Sequence, residues 1–195
     1  MEKITFSIDA RPEIILKADH LCHNTYLRMG YISKALPGFV MSNNEQNANY
    51  IVAANSYGSV VGTLRLSQKI PADIFKVWKG KLYGSCFSLV SEALSRRSFS
   101  IGSLAVDKAY AGMKISWGLY QMAYKWALSQ NMEYGIITID HHAFRALKMV
   151  GWHAVQVGEA ALYLGSPTIP AIIPIRQQTC GAVNEIKPQF NHYTT

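Results

Sequence analysis

IGSLAVDKAYAGMKISWGLYQMAYKWALSQNMEYGIITIDHHAFRALKMVGW, residues 101–152, is the stretch that decides the fold. It reads as a strand, a glycine-containing turn, a long apolar helix, a second strand, a short helix and a closing Gly151-Trp152. A strand–helix–strand run of this length makes two parallel strands with a crossover helix. The carboxyl ends of such strands form the crevice where ligands bind. Residues Trp117–Ser129 carry Lys125 as their sole charge, so this helix is expected inside the molecule rather than on its surface. Residues Ile136–Ile139 read as a short buried strand.

Working outward, Glu13–Tyr31 places apolar residues at helical spacing, and Gly30 marks its end. An Asn-rich loop, SNNEQNAN, follows. Then come two strands, Tyr50–Asn55 and Val60–Leu66, around a turn at Ser56-Tyr57-Gly58-Ser59. ADIFKVWKGKLY (72–83) reads as a helix, whereas SCFSLVSEALSRR (85–97) fits a helix or a loop. After Trp152, HAVQVGEAALYLG suggests one more hairpin. Residues 166–195, with Pro167, Pro170, Pro174 and Pro188, read as an irregular tail on a single domain spanning 1–165. The expected class is α/β (α+β), a mixed twisted sheet flanked by helices.

Apolar residues make up 49% of the chain and charged ones 16%, a balance that suits a packed core and excludes a disordered chain. No run of 18 apolar residues is present, and the amino terminus lacks a signal-peptide core, so no integral membrane segment and a cytoplasmic location are expected. Cys22, Cys86 and Cys180 are far apart and form no CxxC pair; they read as free thiols, with Cys22 beside His23 the one hint of a nucleophile. Net charge is +7, and between Arg65 and Arg97 seven bases stand against two acids, a local balance of +5. Such a surface steers an acidic partner. Nucleic acid is not favoured, because no nucleic-acid motif accompanies the charge.

Taken in order, VVGTLRL (60–66), SLAVDKAY (103–110), the AGMKIS turn, the apolar helix, IITID and FRALKMVGW (144–152) resemble the Gcn5-related N-acyltransferases. The resemblance covers roughly residues 10–165. It implies that main-chain groups around Leu104, Ala105 and Val106 hold a pantetheine arm as an extra strand would. It also implies a V-shaped splay between two central parallel strands, SIGSLAV and YGIITID, with the thioester in it.

Two departures narrow the reading. Coenzyme A-dependent members carry an Arg-Gly-x-Gly-x-Gly turn whose amides cradle the pyrophosphate. Here Ala111, Gly112, Met113, Lys114, Ile115 and Ser116 keep one glycine, and Lys114 offers a point charge suited to a single phosphodiester or a carboxylate. The tyrosine that many members use to protonate the leaving thiolate is replaced by Leu147.

GTLRLSQKIPADIF (62–75) and the early LRMGY are similar to acyl-homoserine-lactone synthases, which take acyl chains from acyl carrier protein. Those enzymes' charged residues for S-adenosylmethionine are absent, since Ser100, Ile101, Gly102, Ser103 and Leu104 stand there. A different amine acceptor is implied. The sequence most resembles the long-chain N-acyl amino acid synthases, the N-acyl tyrosine synthases in particular. That resemblance implies transfer of a fatty acyl chain from acyl carrier protein to an amino acid, an aromatic one such as tyrosine. No resident cofactor is implied, because phosphopantetheine arrives on the donor.

The candidate residues follow from the chemistry. An amine must lose a proton before it attacks a thioester, and Glu92 is the nearest carboxylate before the AVD strand, so it is the candidate base. A carboxylate paired with Arg96 at i+4 is the competing role. Ser103 is the candidate for orienting a water or the amine, and an ordinary strand serine is its alternative. Arg65 is placed to hold the acceptor's carboxylate through a bidentate fork, or to make a structural ion pair. Gly112 and Lys114 are assigned to the pantetheine phosphate, and Lys79, Lys81, Arg96, Arg97 and Lys108 to the carrier-protein face. Asp140-His141-His142 with His153 fits no metal motif and reads as a helix cap, so no metal is expected. Trp117, Tyr120, Tyr124 and Trp126 line an acyl tunnel or simply form core. Two rivals remain: a coenzyme A-dependent acetyltransferase, and a non-catalytic module that binds acyl chains or carrier protein.

Overall fold

The computed structural model describes residues 2–9, 11–32, 48–71, 74–75, 78, 81–149, 151–163 and 165–175. Lys79, Cys180, Pro188 and most of the Asn-rich loop lie outside the described residues. In chain order the elements are β1 (Thr5–Asp9), α1 (Pro12–Arg28), β2 (Ala48–Ala54), β3 (Val60–Ser67), α2 (Phe87–Ser95), β4 (Ser98–Val106), α3 (Ile115–Ser129), β5 (Tyr134–Asp140), α4 (His141–Met149), β6 (Val155–Gln156), β7 (Ala161–Tyr163) and β8 (Ser166–Pro174). The chain divides into two compact units; among the described residues one takes 2–66 and 102–123, the other 67–101 and 124–175.

In the first unit the strand order is β1-β2-β3-β4. Strand β1, not anticipated from the sequence, pairs antiparallel with β2 from Thr5↔Ala54 to Asp9↔Tyr50. The β2–β3 turn is built by Asn55, whose side-chain oxygen accepts from the amides of Tyr57 and Ser59 at 3.1 and 2.9 Å. Helix α1 covers one face of the strands, where Ala18 packs on Tyr50 and Val52 with Ile14 and Ile15 around them. On the other face α3 comes so close that a Cβ at Gly62 would meet Ile115, Ala53 and Leu119. Gly118 likewise lies against the Phe6 ring. A glycine at each contact lets helix and strands approach to backbone distance.

In the second unit the order is β4-β5-β8-β6, with β7 also on β8. Strands β4 and β5 pair in parallel, as the opening stretch predicts, but only from Ser98↔Tyr134 to Ser100↔Ile136. Beyond that, β4 runs on to Val106 and β5 to Asp140. Helix α2 settles the ambiguous 85–97 segment, burying Val90 and Ala93 against Trp78, Tyr134, Ile136, Val157 and Ile172. Within the proposed 72–83 helix, Ile74, Phe75 and Trp78 are helical, and Lys81 N donates to Trp78 O at 3.0 Å.

Two expectations need correction. Residues 153–165 do not form a hairpin with each other; β6 and β7 each pair antiparallel with β8. And Ser166–Pro174 is not irregular but a strand, paired antiparallel with β5 from Asp140↔Thr168 to Tyr134↔Pro174. Its prolines sit where the ladder needs no donor. The amide and carbonyl of one strand residue point to the same side, and the Pro170 carbonyl accepts from Val157 N at 3.0 Å, on the side away from β5. Pro174, four residues on, shares that side. Pro167 lies beyond Thr168, the last residue paired with β5.

Three helices end alike. Gly30 (φ 73°), Asn131 (φ 52°) and Gly151 (φ 90°) adopt the left-handed conformation. The next residue's amide then reaches back, Tyr31 to Tyr26, Met132 to Ala127 and Trp152 to Leu147, at 2.9, 2.9 and 3.2 Å.

Candidate active site

The strand that carries the AVD signature holds a non-glycine residue in the left-handed conformation. Ser103, 6% exposed and mid-strand in β4, has φ 54°, a left-handed conformation that non-glycine residues rarely adopt. A residue of this kind kinks a strand and redirects the backbone groups that follow it. Those groups belong to Leu104, Ala105 and Val106, of which Ala105 is buried. The neighbouring Gly102 faces Arg65, whose Nη2 stands 3.8 Å from where a Cβ would project. Arg65 thus stands beside Gly102, the residue before Ser103.

Behind Arg65 lies a buried polar chain that the sequence reading missed. The Tyr50 hydroxyl donates to Asp19 Oδ1 at 3.0 Å, with Tyr50 1% and Asp19 5% exposed. Arg65 lies near the same phenol. Burial pushes the Tyr50 hydroxyl up from its ordinary range, Asp19 adds to the shift, and Arg65 opposes it. The signal was present in the sequence: Asp19 is the one acid on the apolar face formed by Ile15, Ala18, Cys22 and Tyr26. Cys22 lies in the same place, and burial pushes its thiol up to about 12. A thiol so held stays protonated, which removes Cys22 as a nucleophile.

The turn after β4 is ordered by Asp107, whose side chain accepts from Ala109 N at 2.9 Å while its amide donates to Val61 O. Lys108 opens one turn of 3-10 helix and is exposed. Ala111 to Lys114 are all exposed; Gly112 has φ 80° and Lys114 φ 57°, so the lysine holds a conformation that glycine adopts without strain.

In the second unit Glu92 is exposed on α2 and accepts from the Tyr134 hydroxyl at 2.8 Å. Burial, with Glu92 next, pushes the Tyr134 hydroxyl up. The expected i+4 pair with Arg96 is not formed; Arg96 instead approaches Glu133 at 3.9 Å. Tyr134 is the first residue of β5 and pairs with Ser98, the first of β4. Glu92 is therefore tied to the amino ends of the parallel pair, whereas chemistry on such sheets belongs at the carboxyl ends. That position speaks against Glu92 as the base. Of the carrier-face bases, Lys81, Arg96 and Arg97 are exposed in this unit. Arg97 also donates to Gln130 O at 3.0 Å, beyond the carboxyl end of α3.

At the carboxyl end of β5, Asp140 Oδ1 accepts from His142 N and Ala143 N at 2.8 and 2.9 Å, capping α4 as the DHH sequence suggested. Among the described residues no three His, Cys, Asp or Glu side chains are grouped to hold a metal ion. Leu147, in place of the usual tyrosine, is fully buried in α4. Of the aromatic set, Trp126 packs edge-on to Phe99 and Tyr124 edge-on to Trp152.

Solved structures share this architecture. FeeM, an N-acyl amino acid synthase from uncultured soil microbes, superposes with a TM-score of 0.69 at 16% identity over 91% of this chain and 94% of that one. BjaI, a coenzyme A-dependent acyl-homoserine lactone synthase, gives 0.67 at 16% identity over 92% and 86%. An acetyltransferase of the GNAT family from Staphylococcus aureus gives 0.58 at 11% identity over 88% and 99%. The fold is that of the Gcn5-related acyltransferases. No curated protein sequence matches the chain. Residues 17–173 match the model of the N-acyl amino acid synthase FeeM, and the chain belongs to that family. It is an acyltransferase enzyme.

Proposed function

We propose that this enzyme moves a long-chain acyl group from acyl carrier protein to the α-amine of an amino acid, an aromatic one such as tyrosine, in the cytoplasm. The observation that carries the acceptor half is Arg65 standing beside Gly102, one residue from the Ser103 kink. A guanidinium fork there suits a carboxylate and sets the adjoining amine beside the thioester.

In the reaction the amine nitrogen attacks the thioester carbonyl, and the C–S bond breaks. The ammonium proton leaves to water oriented by Ser103, and the thiolate departs without an acid at Leu147. Amides of Leu104–Val106 hold the pantetheine arm and donate to the developing oxyanion. The donor half is supported by the turn. It has one glycine, Gly112, and an exposed Lys114 where a pyrophosphate cradle would need close backbone approach. Lys81, Arg96 and Arg97, all exposed, supply positive charge for an acidic carrier in the second unit, and Lys108 does so in the first.

The test is thiol release and product mass from the full chain with acyl carrier protein or acyl-coenzyme A as donor and the twenty amino acids as acceptors. An N-acyl amino acid from the carrier-bound donor is expected. Preference for acyl-coenzyme A overturns the donor assignment, and binding of both substrates with no thiol release overturns the reading altogether.

A further inference from the structure

The turn between β2 and β3 carries an aromatic side chain that the fold does not use. Asn55 fixes the turn: its side-chain oxygen accepts from Tyr57 N and Ser59 N, and its carbonyl accepts from Gly58 N at 3.0 Å. The backbone at Tyr57 is therefore held, yet its side chain is 88% exposed. Hairpin turns call for glycine, asparagine, aspartate or serine, and nothing in this one requires an aromatic ring.

The same Asn55 ties the turn to the segment after β4. Its Nδ2 donates to the Tyr110 hydroxyl at 2.8 Å, and the Tyr110 carbonyl accepts from Met113 N at 3.2 Å. Met113 is 39% exposed. Three exposed lysines belong to this region: Lys108, Lys114 and Lys3, which lies just before β1, the partner of β2. The acids bonded into it are Glu2, held by Tyr110 and Ser56, and the half-buried Asp107, held by the Ala109 amide. All of these residues lie in the first unit, grouped at the carboxyl end of β4, the end at which such sheets bind ligands. An exposed ring and an exposed thioether on pinned backbone, with cations beside them, have the anatomy of a protein interface: an apolar centre with a charged rim.

We infer that the β2–β3 turn and residues 108–114 together form the surface on which the acidic acyl carrier protein docks, with Tyr57 as its anchor. The inference rests on the donor assignment above and deepens it. A carrier presents its thioester on an arm joined to its own surface through a phosphodiester. The carrier itself must therefore lie against the site that holds that phosphate, and Lys114, assigned to the phosphate, belongs to this patch. The exposed bases of the second unit act at a distance and raise the rate of encounter, whereas Tyr57 acts on contact and slows departure. Tyrosine suits that task because it offers a large area with few rotatable bonds to freeze.

The test uses the full chain with purified holo-acyl carrier protein for binding, and the acylated carrier or acyl-pantetheine for turnover. Tyr57 is exposed and Asn55 builds its turn, so Tyr57→Ala should fold and melt as the wild type does. Its Kd for the holo carrier should rise by about tenfold or more, chiefly through faster dissociation. KM for the acylated carrier should rise in step with kcat unchanged, and turnover of acyl-pantetheine should stay within about twofold. Tyr57→Phe, which keeps the ring, should recover most of the binding. Lys108→Glu should instead slow association and flatten its salt dependence.

An unchanged Kd in Tyr57→Ala overturns the inference and leaves the donor assignment standing. So does an equal fall in turnover of acyl-pantetheine, which has no protein to dock. If the wild type binds no holo carrier, the donor assignment fails and the inference with it. If the carrier binds but no thiol is released, acyl transfer fails, and the Kd ratio between wild type and Tyr57→Ala still decides the docking surface.

Discussion

Cys22 shows how one residue's surroundings reverse a reading made from its neighbours in sequence. Beside His23 it suggested a nucleophile, yet it is 1% exposed, and burial is the largest cause pushing its thiol to about 12. A folded value above the unfolded one, near 9.0, means the folded state keeps the proton longer. That contribution to stability is fully present below about pH 9 and is lost as pH rises toward about 12. Two outcomes follow. Iodoacetamide at pH 8 should modify the half-buried Cys86 well before Cys22, as followed by peptide mass. Cys22→Ala should also flatten the loss of thermal stability between about pH 9 and 11. Rapid native labelling of Cys22 would show that the thiol is not closed in.

At the scale of elements, what could be read from sequence was what depends on local pattern. The 101–152 stretch gave its strands, helices and caps because its periodicity, glycines and Asp140 all act within a few residues. The β2–β3 turn was legible for the same reason. Strand β8 was not, because proline content argues for loop unless one knows which side of the strand each imide faces, and only the pairing with β5 and β6 determines that. The candidate site divides along the same line. Arg65, Ser103 and the 104–106 strand were visible as motif residues, whereas Tyr50 and Asp19 become a pair only when β2 meets α1. Glu92 is the converse case, a carboxylate near the motif in sequence but bonded to Tyr134 at the wrong end of the parallel pair. Glu92→Gln should therefore leave the pH–rate profile unmoved and cost less than about 1 kcal/mol of stability, since the amide oxygen still accepts from Tyr134. A shifted basic or acidic limb in that profile would return Glu92 to the chemistry.

At the scale of the whole molecule, the dominant fact is a net charge of +7 on 195 residues, with +5 of it between Arg65 and Arg97. Arg97 is partly engaged with the Gln130 carbonyl and Arg96 only loosely with Glu133, so much of this charge faces water. Exposed charges act at a distance, and their reach shrinks from about 30 Å at 0.01 M salt to about 8 Å at 0.15 M. A protein donor that is acidic over its own surface gathers on such a face faster than diffusion alone brings it, and loses that advantage as salt rises. A small neutral donor has no such field to follow. Acyl-pantetheine, without carrier or phosphate, therefore separates long-range attraction from recognition of the thioester arm. Between about 0.02 and 0.3 M salt, kcat/KM for the carrier-bound donor should fall by about tenfold or more, and that for acyl-pantetheine by less than about twofold. Lys81→Glu with Arg96→Glu should flatten the first slope and leave the second alone. Equal slopes for the two donors would mean that the positive charge is a solvated surface with no part in choosing the donor.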